Sequence, residues 1–393
     1  MTENIIKALR KYDLPSFVVD NVKSGKYIVF PGFCDVHVHF REPGFSYKET
    51  ILSGSRAAAH GGYTCVCTMP NLNPVPDNVD NIKKQIDIIK RDSLIDIYPY
   101  ASITVGQNGN ELTDFAALSE YAVAFSDDGK GIQNEKVMES AMLEAKKCGK
   151  IIASHCEDNE LVRGGYIHDG KYAKENNHRG ICSESEWKPI ERDLKIALKT
   201  GCSYHICHIS CKESVGLVRK YKALGADVTC ETAPHYLVLD DGDIREDGRY
   251  KMNPPLRDKS DRFALIEGIK DGTIDMIATD HAPHGIDEKS LGLEKSSFGI
   301  VGLETAFPIL YTELVIKKTI TLEKLIDLMS YSPRKRFSIY SGIGFSIWDL
   351  NEKYKISSDD FLSKGRATPF EGREVFGKCI AAVCNGKISY SLF

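Results

Sequence analysis

The chain has 393 residues, which at roughly 100–200 residues per domain means two domains or one large α/β barrel with an appendage. Charged residues make up 27% of it, and 51 Lys plus Arg against 55 Asp plus Glu leave a net charge of −4. That near-balance argues against a nucleic-acid backbone binder, and no run approaches the ~20 apolar residues of a membrane span. The start, MTENIIKALRKYDLP, lacks the apolar core and cleavage site of a signal peptide, so a cytoplasmic setting is expected.

Apolar runs alternate with amphipathic stretches along the chain. The runs are 31–40, 63–70, 95–104, 122–128, 150–158, 203–210, 227–235 and 275–284. Helix-like stretches lie at 46–60, 77–91, 111–120, 134–148, 183–200, 212–224, 260–270 and 302–330. Eight strand–helix units predict a (β/α)8 TIM barrel over 31–339, with a doubly wound open sheet as the alternative. PGFCDVHVHF carries no GxGxxG, which argues against a Rossmann dinucleotide enzyme. Segments 159–182 and 285–299 read as long loops at the end of the barrel where sites are built. The tail from 340 to 393 turns strand-like, with Asn385-Gly386 as a tight hairpin turn. With residues 1–30 it is expected to form a small β-rich appendage. The twelve cysteines sit largely in apolar runs, lack a paired CxxC pattern, and read as reduced, structural residues.

The histidines are not scattered. His37 and His39 are two apart, so on a strand they share a face. Asp128, His155, His208 and Asp280 fall at the ends of four further strand runs. All six therefore sit on the one rim of a barrel where side chains converge. Imidazole and carboxylate suit zinc, and a bridging carboxylate allows one ion or two. A metal there lowers the pKa of water to roughly 7. Singly, each residue has a plainer role: a satisfied core histidine, or a helix cap in the case of Asp128. His205 and His208 have opposite strand parity; the strand end favours His208, and His205 is assigned to the core.

PGFCDVHVHFREPG, KETILSGSRAAAHGGYTCVCTMPN, AFSDDG, SHCED, CHIS, KMNPPLR and TDHAPH together resemble the dihydroorotases of the amidohydrolase superfamily, over about residues 27–390. The resemblance implies that His37 and His39 bind one zinc ion, His155 and His208 a second, and that Asp128 is shared. Asp280 would touch the first ion and shuttle a proton. Asp127 is the adjacent candidate for the bridge, and the family spacing selects Asp128. Arg41 and Asn71 resemble residues that hold a substrate α-carboxylate, Asn253 and His284 further substrate contacts. Phe298 and Gly299 would offer backbone groups to a pyrimidine ring. The implied reaction is the reversible closure of N-carbamoyl-L-aspartate to (S)-dihydroorotate, in pyrimidine biosynthesis. A homodimer, and association with an aspartate transcarbamoylase, come with the resemblance as expectations.

Arg41 separates this family from its relatives. A guanidinium grips a carboxylate with two parallel hydrogen bonds, and hydantoin and dihydrouracil have no carboxylate to offer. Allantoinases, similar elsewhere, typically carry Asn at this position. The plainer reading of Arg41 is a surface residue paired with Glu42 or Glu49. A catalytically idle relative that scaffolds the transcarbamoylase is the non-enzyme reading, and retention of all six ligand-type residues argues against it. Two features depart from the wider pattern. Asp128 stands where many superfamily members have a carboxylated Lys, with Lys130 as a nearby candidate for that modification. Only 36 residues precede His37, which predicts a reduced appendage or strands supplied by a partner subunit.

Overall fold

Every residue of the run Phe33–Val38 is buried, as a strand covered on both faces must be. The computed structural model describes residues 2–340 and 344–393. In chain order its strands are β1 (Ile28–Pro31), β2 (Phe33–Val38), β3 (Tyr63–Thr68), β4 (Asp96–Pro99), β5 (Ile152–Ser154), β6 (Ile167–His168), β7 (Gly180–Ile181), β8 (Tyr204–Ile206), β9 (Val228–Thr232), β10 (Met276–Ile277), β11 (Phe345–Lys355), β12 (Glu374–Cys384) and β13 (Lys387–Ser391).

Strands β2, β3 and β4 pair in parallel, and so do β5, β8, β9 and β10. Two gaps between these sheets are closed by parallel bridges. Phe125 pairs with both Ala101 and Ile152, and His281 pairs with Val38. The ladder thus runs round eight staves and closes on itself, with helices such as Ile51–His60, Val79–Asp92 and Glu184–Thr200 between them. The fold is the predicted (β/α)8 barrel.

Two staves are shorter than the apolar runs that encode them. Of 122–128 only Phe125 pairs, and the eighth stave consists of β10 and the bridge at His281. In each case the residues beyond turn away from the ladder toward the rim. Asp127 accepts the backbone N–H groups of Ile103 and Thr104 at 2.8 and 3.2 Å, and Asp280 leaves strand geometry with φ 49°.

The appendage joins both chain ends, in the antiparallel order β1-β11-β12-β13. Asn385 and Gly386 have φ of 50° and 78°, the twist that a two-residue hairpin between β12 and β13 requires. The N-terminal share differs from the expected strands. Thr2–Leu9 and Ser16–Lys23 are helices, and among the described residues β1 is the single strand before the barrel. Leu9, Val18, Val19 and Val22 pack on Ile347 and Ile380 of the sheet, so this helical pair covers the sheet's outer face. Trp348 of β11 lies against Phe33 and Phe307, which makes barrel and appendage one apolar core. The long segments predicted as loops carry short elements: β6, β7 and two helical turns in one, Ile286–Lys289 and Gly292–Lys295 in the other. All twelve cysteines are free and most are buried. No helix among the described residues is long and apolar enough to cross a membrane.

Candidate active site

Six side chains from five staves converge at the C-terminal rim. His37 Nε2 lies 3.3 Å from Asp128 Oδ1, and His39 Nε2 3.5 Å from Asp128 Oδ2. On the other side, His155 Nδ1 and His208 Nε2 stand 3.8 and 3.7 Å from Asp128 Oδ1 and 2.9 Å from each other. Asp280 Oδ1 approaches His39 Nε2 at 2.9 Å and His37 Nε2 at 3.5 Å. His37, His39 and Asp128 make one triad, and Asp128, His155 and His208 a second. All six residues are buried.

Hydrogen bonds behind the rings decide which nitrogens face the centre. A carboxylate only accepts, so His37 must donate from Nδ1 to Glu231 Oε1 at 2.7 Å. His39 Nδ1 likewise pairs with Asn71 Oδ1 at 2.9 Å. Both rings then turn an Nε2 lone pair toward the oxygens of Asp128 and Asp280, acceptor against acceptor. His37 Nε2 and Asp128 Oδ1 are buried without any hydrogen-bond partner. Such a set needs a positive charge at its centre, which a proton on the rings or a metal ion supplies. Ligand atoms ~2.0–2.1 Å from one tetrahedral zinc sit ~3.4 Å apart, which the His37–Asp128 and His39–Asp128 separations of 3.3 and 3.5 Å match. The donors therefore fit zinc, and Asp128 belongs to both triads.

The local backbone is shaped to this end. His208 and Asp280 both adopt positive φ, 35° and 49°, a conformation uncommon outside glycine and held here by the surrounding structure. Asp35, beneath His37, accepts from the His37 N–H at 3.0 Å and the Thr279 hydroxyl at 2.6 Å, which fastens the first stave to the eighth. Burial pushes the Asp35 carboxyl up to about 7. For Asp128, burial is more than reversed by His37 and His208, and its carboxyl stays well below the ordinary range.

Sequence reasoning missed Glu231. It is fully buried, and its second oxygen accepts from His205 Nε2 at 3.0 Å while Thr229 donates to His205 Nδ1 at 2.8 Å. His205 is thus a core residue that braces a brace. Burial raises the Glu231 carboxyl, but His37 and His205 outweigh it and leave it at about 2. The one signal was an acidic residue inside an otherwise apolar strand run. A carboxylate behind a ligating imidazole typically governs metal affinity. Glu231→Gln is therefore expected to weaken zinc binding about 10- to 100-fold, read by competition with a chromogenic chelator; unchanged affinity would remove that role.

Of the other candidates, Asp127 is spent on loop N–H groups, and exposed Lys130 reaches the Gly106 carbonyl at 3.5 Å. Neither stands where Asp128 does. A cavity of about 220 Å³ opens on the metal-type cluster and is lined by Arg41, Asn71, Asn253, His284, Phe298 and Gly299. Arg41 is buried and pairs with neither Glu42 nor Glu49. It donates to the Pro283 carbonyl at 3.3 Å and faces His284 at 3.4 Å. Asn71 also donates to Asp128 at 3.4 Å, and Asn253 donates to Glu157 at 2.8 Å, so both amides are tied to the ligand side of the cavity. Gly299 has φ 124°, and a Cβ there would meet Ala282 at 2.7 Å, so no other residue brings this backbone so close to the cavity.

Barrel, rim and cavity together define a hydrolase of the amidohydrolase kind. The fold is similar to that of L-hydantoinase (dihydropyrimidinase) from Arthrobacter aurescens, with a TM-score of 0.83 at 24% identity over 94% of this chain and 86% of that one. A family profile described as Dihydro-orotase-like matches residues 25–214. The dihydroorotase of Fusobacterium nucleatum subsp. nucleatum is 51% identical over 370 residues, 92% of this chain and 87% of its own length. That of Staphylococcus aureus strain Mu50 is 47% identical over 395 residues, 98% and 93% of the two chains. The chain belongs to the dihydroorotase family.

Proposed function

We propose that this enzyme is a zinc-dependent dihydroorotase, which reversibly closes N-carbamoyl-L-aspartate to (S)-dihydroorotate with loss of water. One observation carries the substrate assignment. Arg41 is a buried guanidinium with no carboxylate within 4 Å among the described residues, and it lines the same cavity as the two His/Asp triads. A buried, unpaired charge is costly unless a ligand supplies its partner. The substrate α-carboxylate is that partner, and uncharged cyclic amides lack it.

His37, His39, Asp128, His155, His208 and Asp280 would hold the ions. Zinc held there acidifies water and polarises a carbonyl. Asp280, kept ionised by His39 and His37 despite its burial, takes the proton of the attacking water. It then delivers that proton to the ring nitrogen as the amide C–N bond breaks; synthesis runs the same transfers backward. Arg41, Asn71 and His284 hold the carboxylate, and Asn253 and the backbone of Phe298 and Gly299 hold the ring, so that the carbonyl is presented to the cluster. The catalytic part is assigned to 31–339, and a cytoplasmic homodimer, with docking to an aspartate transcarbamoylase, belongs to the same proposal.

The test is hydrolysis of L-dihydroorotate by zinc-reconstituted protein, with hydantoin, dihydrouracil and allantoin alongside. Turnover of dihydroorotate far above a slow turnover of the uncharged rings, and lost on chelation, is expected. Preference for an uncharged ring would move the activity to another cyclic-amide hydrolase.

A further inference from the structure

We infer that Lys48 selects the tautomer of His284, and so turns the imidazole into a second hydrogen-bond donor for the substrate carboxylate beside Arg41. The inference rests on the dihydroorotase reading and assigns a positioning residue to its carboxylate pocket.

His284 is flanked by two groups that can only donate. Arg41 Nη2 lies 3.4 Å from its Nε2, and Lys48 Nζ lies 3.2 Å from its Nδ1. A neutral imidazole has one acceptor nitrogen and one donor nitrogen, so it can accept from only one of them. The ring is neutral: burial, with Arg41 and Lys48 on either side, pulls it down to about 3. The ammonium makes the shorter contact, so Nδ1 accepts from Lys48 and Nε2 carries the proton.

Glu288 is the group that could favour the opposite tautomer, with Oε2 3.5 Å from Nδ1. Its oxygens are already engaged. Oε1 accepts from Lys48 at 2.8 Å and Oε2 from the Gly285 N–H at 2.9 Å. Glu288 therefore anchors Lys48 against the ring.

With the proton on Nε2, Arg41 and His284 present donor against donor on the wall of one cavity. What fits between them is an anion with two acceptor oxygens. The α-carboxylate satisfies both donors, and charge-assisted bonds of this kind are the strong ones. Lys48 acts through His284 and anchors to Glu288 of the following loop.

The test pairs nitrogen NMR of ¹⁵N-histidine-labelled, zinc-reconstituted enzyme with kinetics of Lys48→Met, a substitution that keeps the side-chain length and removes the donor. A His284→Gln sample identifies the His284 signal. In the parent enzyme His284 is expected to carry its proton on Nε2, and in Lys48→Met to shift toward the Nδ1–H form. KM for dihydroorotate should rise roughly tenfold or more, with kcat nearly unchanged and dihydrouracil turnover unaffected. A proton on Nδ1 in the parent, an unshifted tautomer in the variant, or an unchanged KM would each overturn the inference. So would equal damage to dihydrouracil turnover, which marks a general structural role. A parent enzyme inert toward dihydroorotate defeats the functional reading instead, and the nitrogen spectra still judge the hold of Lys48 on His284.

Discussion

Asp280→Ala is expected to lower kcat by about 10²–10⁴-fold, the usual contribution of a positioned proton carrier, while zinc content measured by mass spectrometry stays at the parent value. Metal is expected to stay because the other five residues that would hold it remain, and both His/Asp triads form without Asp280. Its carboxylate meets the centre from the side, through His39 at 2.9 Å and His37 at 3.5 Å. One complication is local. Asp280 sits at φ 49°, where an L-residue such as Ala is strained and Asn is tolerated. Asp280→Asn therefore separates the lost carboxylate from the strained backbone, and it should be as slow as the Ala variant but more stable. Near-full activity in either one would end the shuttle assignment.

Arg41→Met should cut kcat/KM for dihydroorotate roughly 10²–10³-fold, the cost of removing one partner of a buried charge pair. Turnover of dihydrouracil should change little. Thermal stability should hold or rise, since Met replaces a buried guanidinium whose protein contacts are one carbonyl and one imidazole. Burial already pulls the Arg41 pKa down to about 10, a sign of how poorly the protein by itself compensates the charge. Arg41→Lys keeps a charge and loses the planar fork, so it should fall between parent and Met. A Met variant with unchanged efficiency on dihydroorotate would dismiss the carboxylate role.

The candidate site was legible to the extent that it is written in strand ends. His37 and His39 share a face through simple two-residue periodicity. Asp128, His155, His208 and Asp280 each follow an apolar run, and a barrel brings the ends of such runs to one rim. The choice between neighbours was less accessible. Asp127 and Asp128 differ by one position, and what separates them is that Ile103 and Thr104 present N–H groups to the first. His208 faces the cluster from a left-handed backbone that strand parity does not describe.

Periodicity, turn residues and motif spacing depend on neighbours in the chain. They were sufficient for the eight-stave barrel and the hairpin at Asn385-Gly386, and they carried the candidate ligand residues to the strand ends. What lay beyond them are partnerships between residues far apart in sequence: Glu231 on His37, Asn71 on His39, and Lys48 with Glu288 on His284. The helical pair at the N-terminus belongs with these, since helices there rather than strands follow from the sheet face they cover. A side chain's type declares what it can donate or accept. Which tautomer it adopts, and whether its charge is already matched, is decided by the group that folding places 3 Å away.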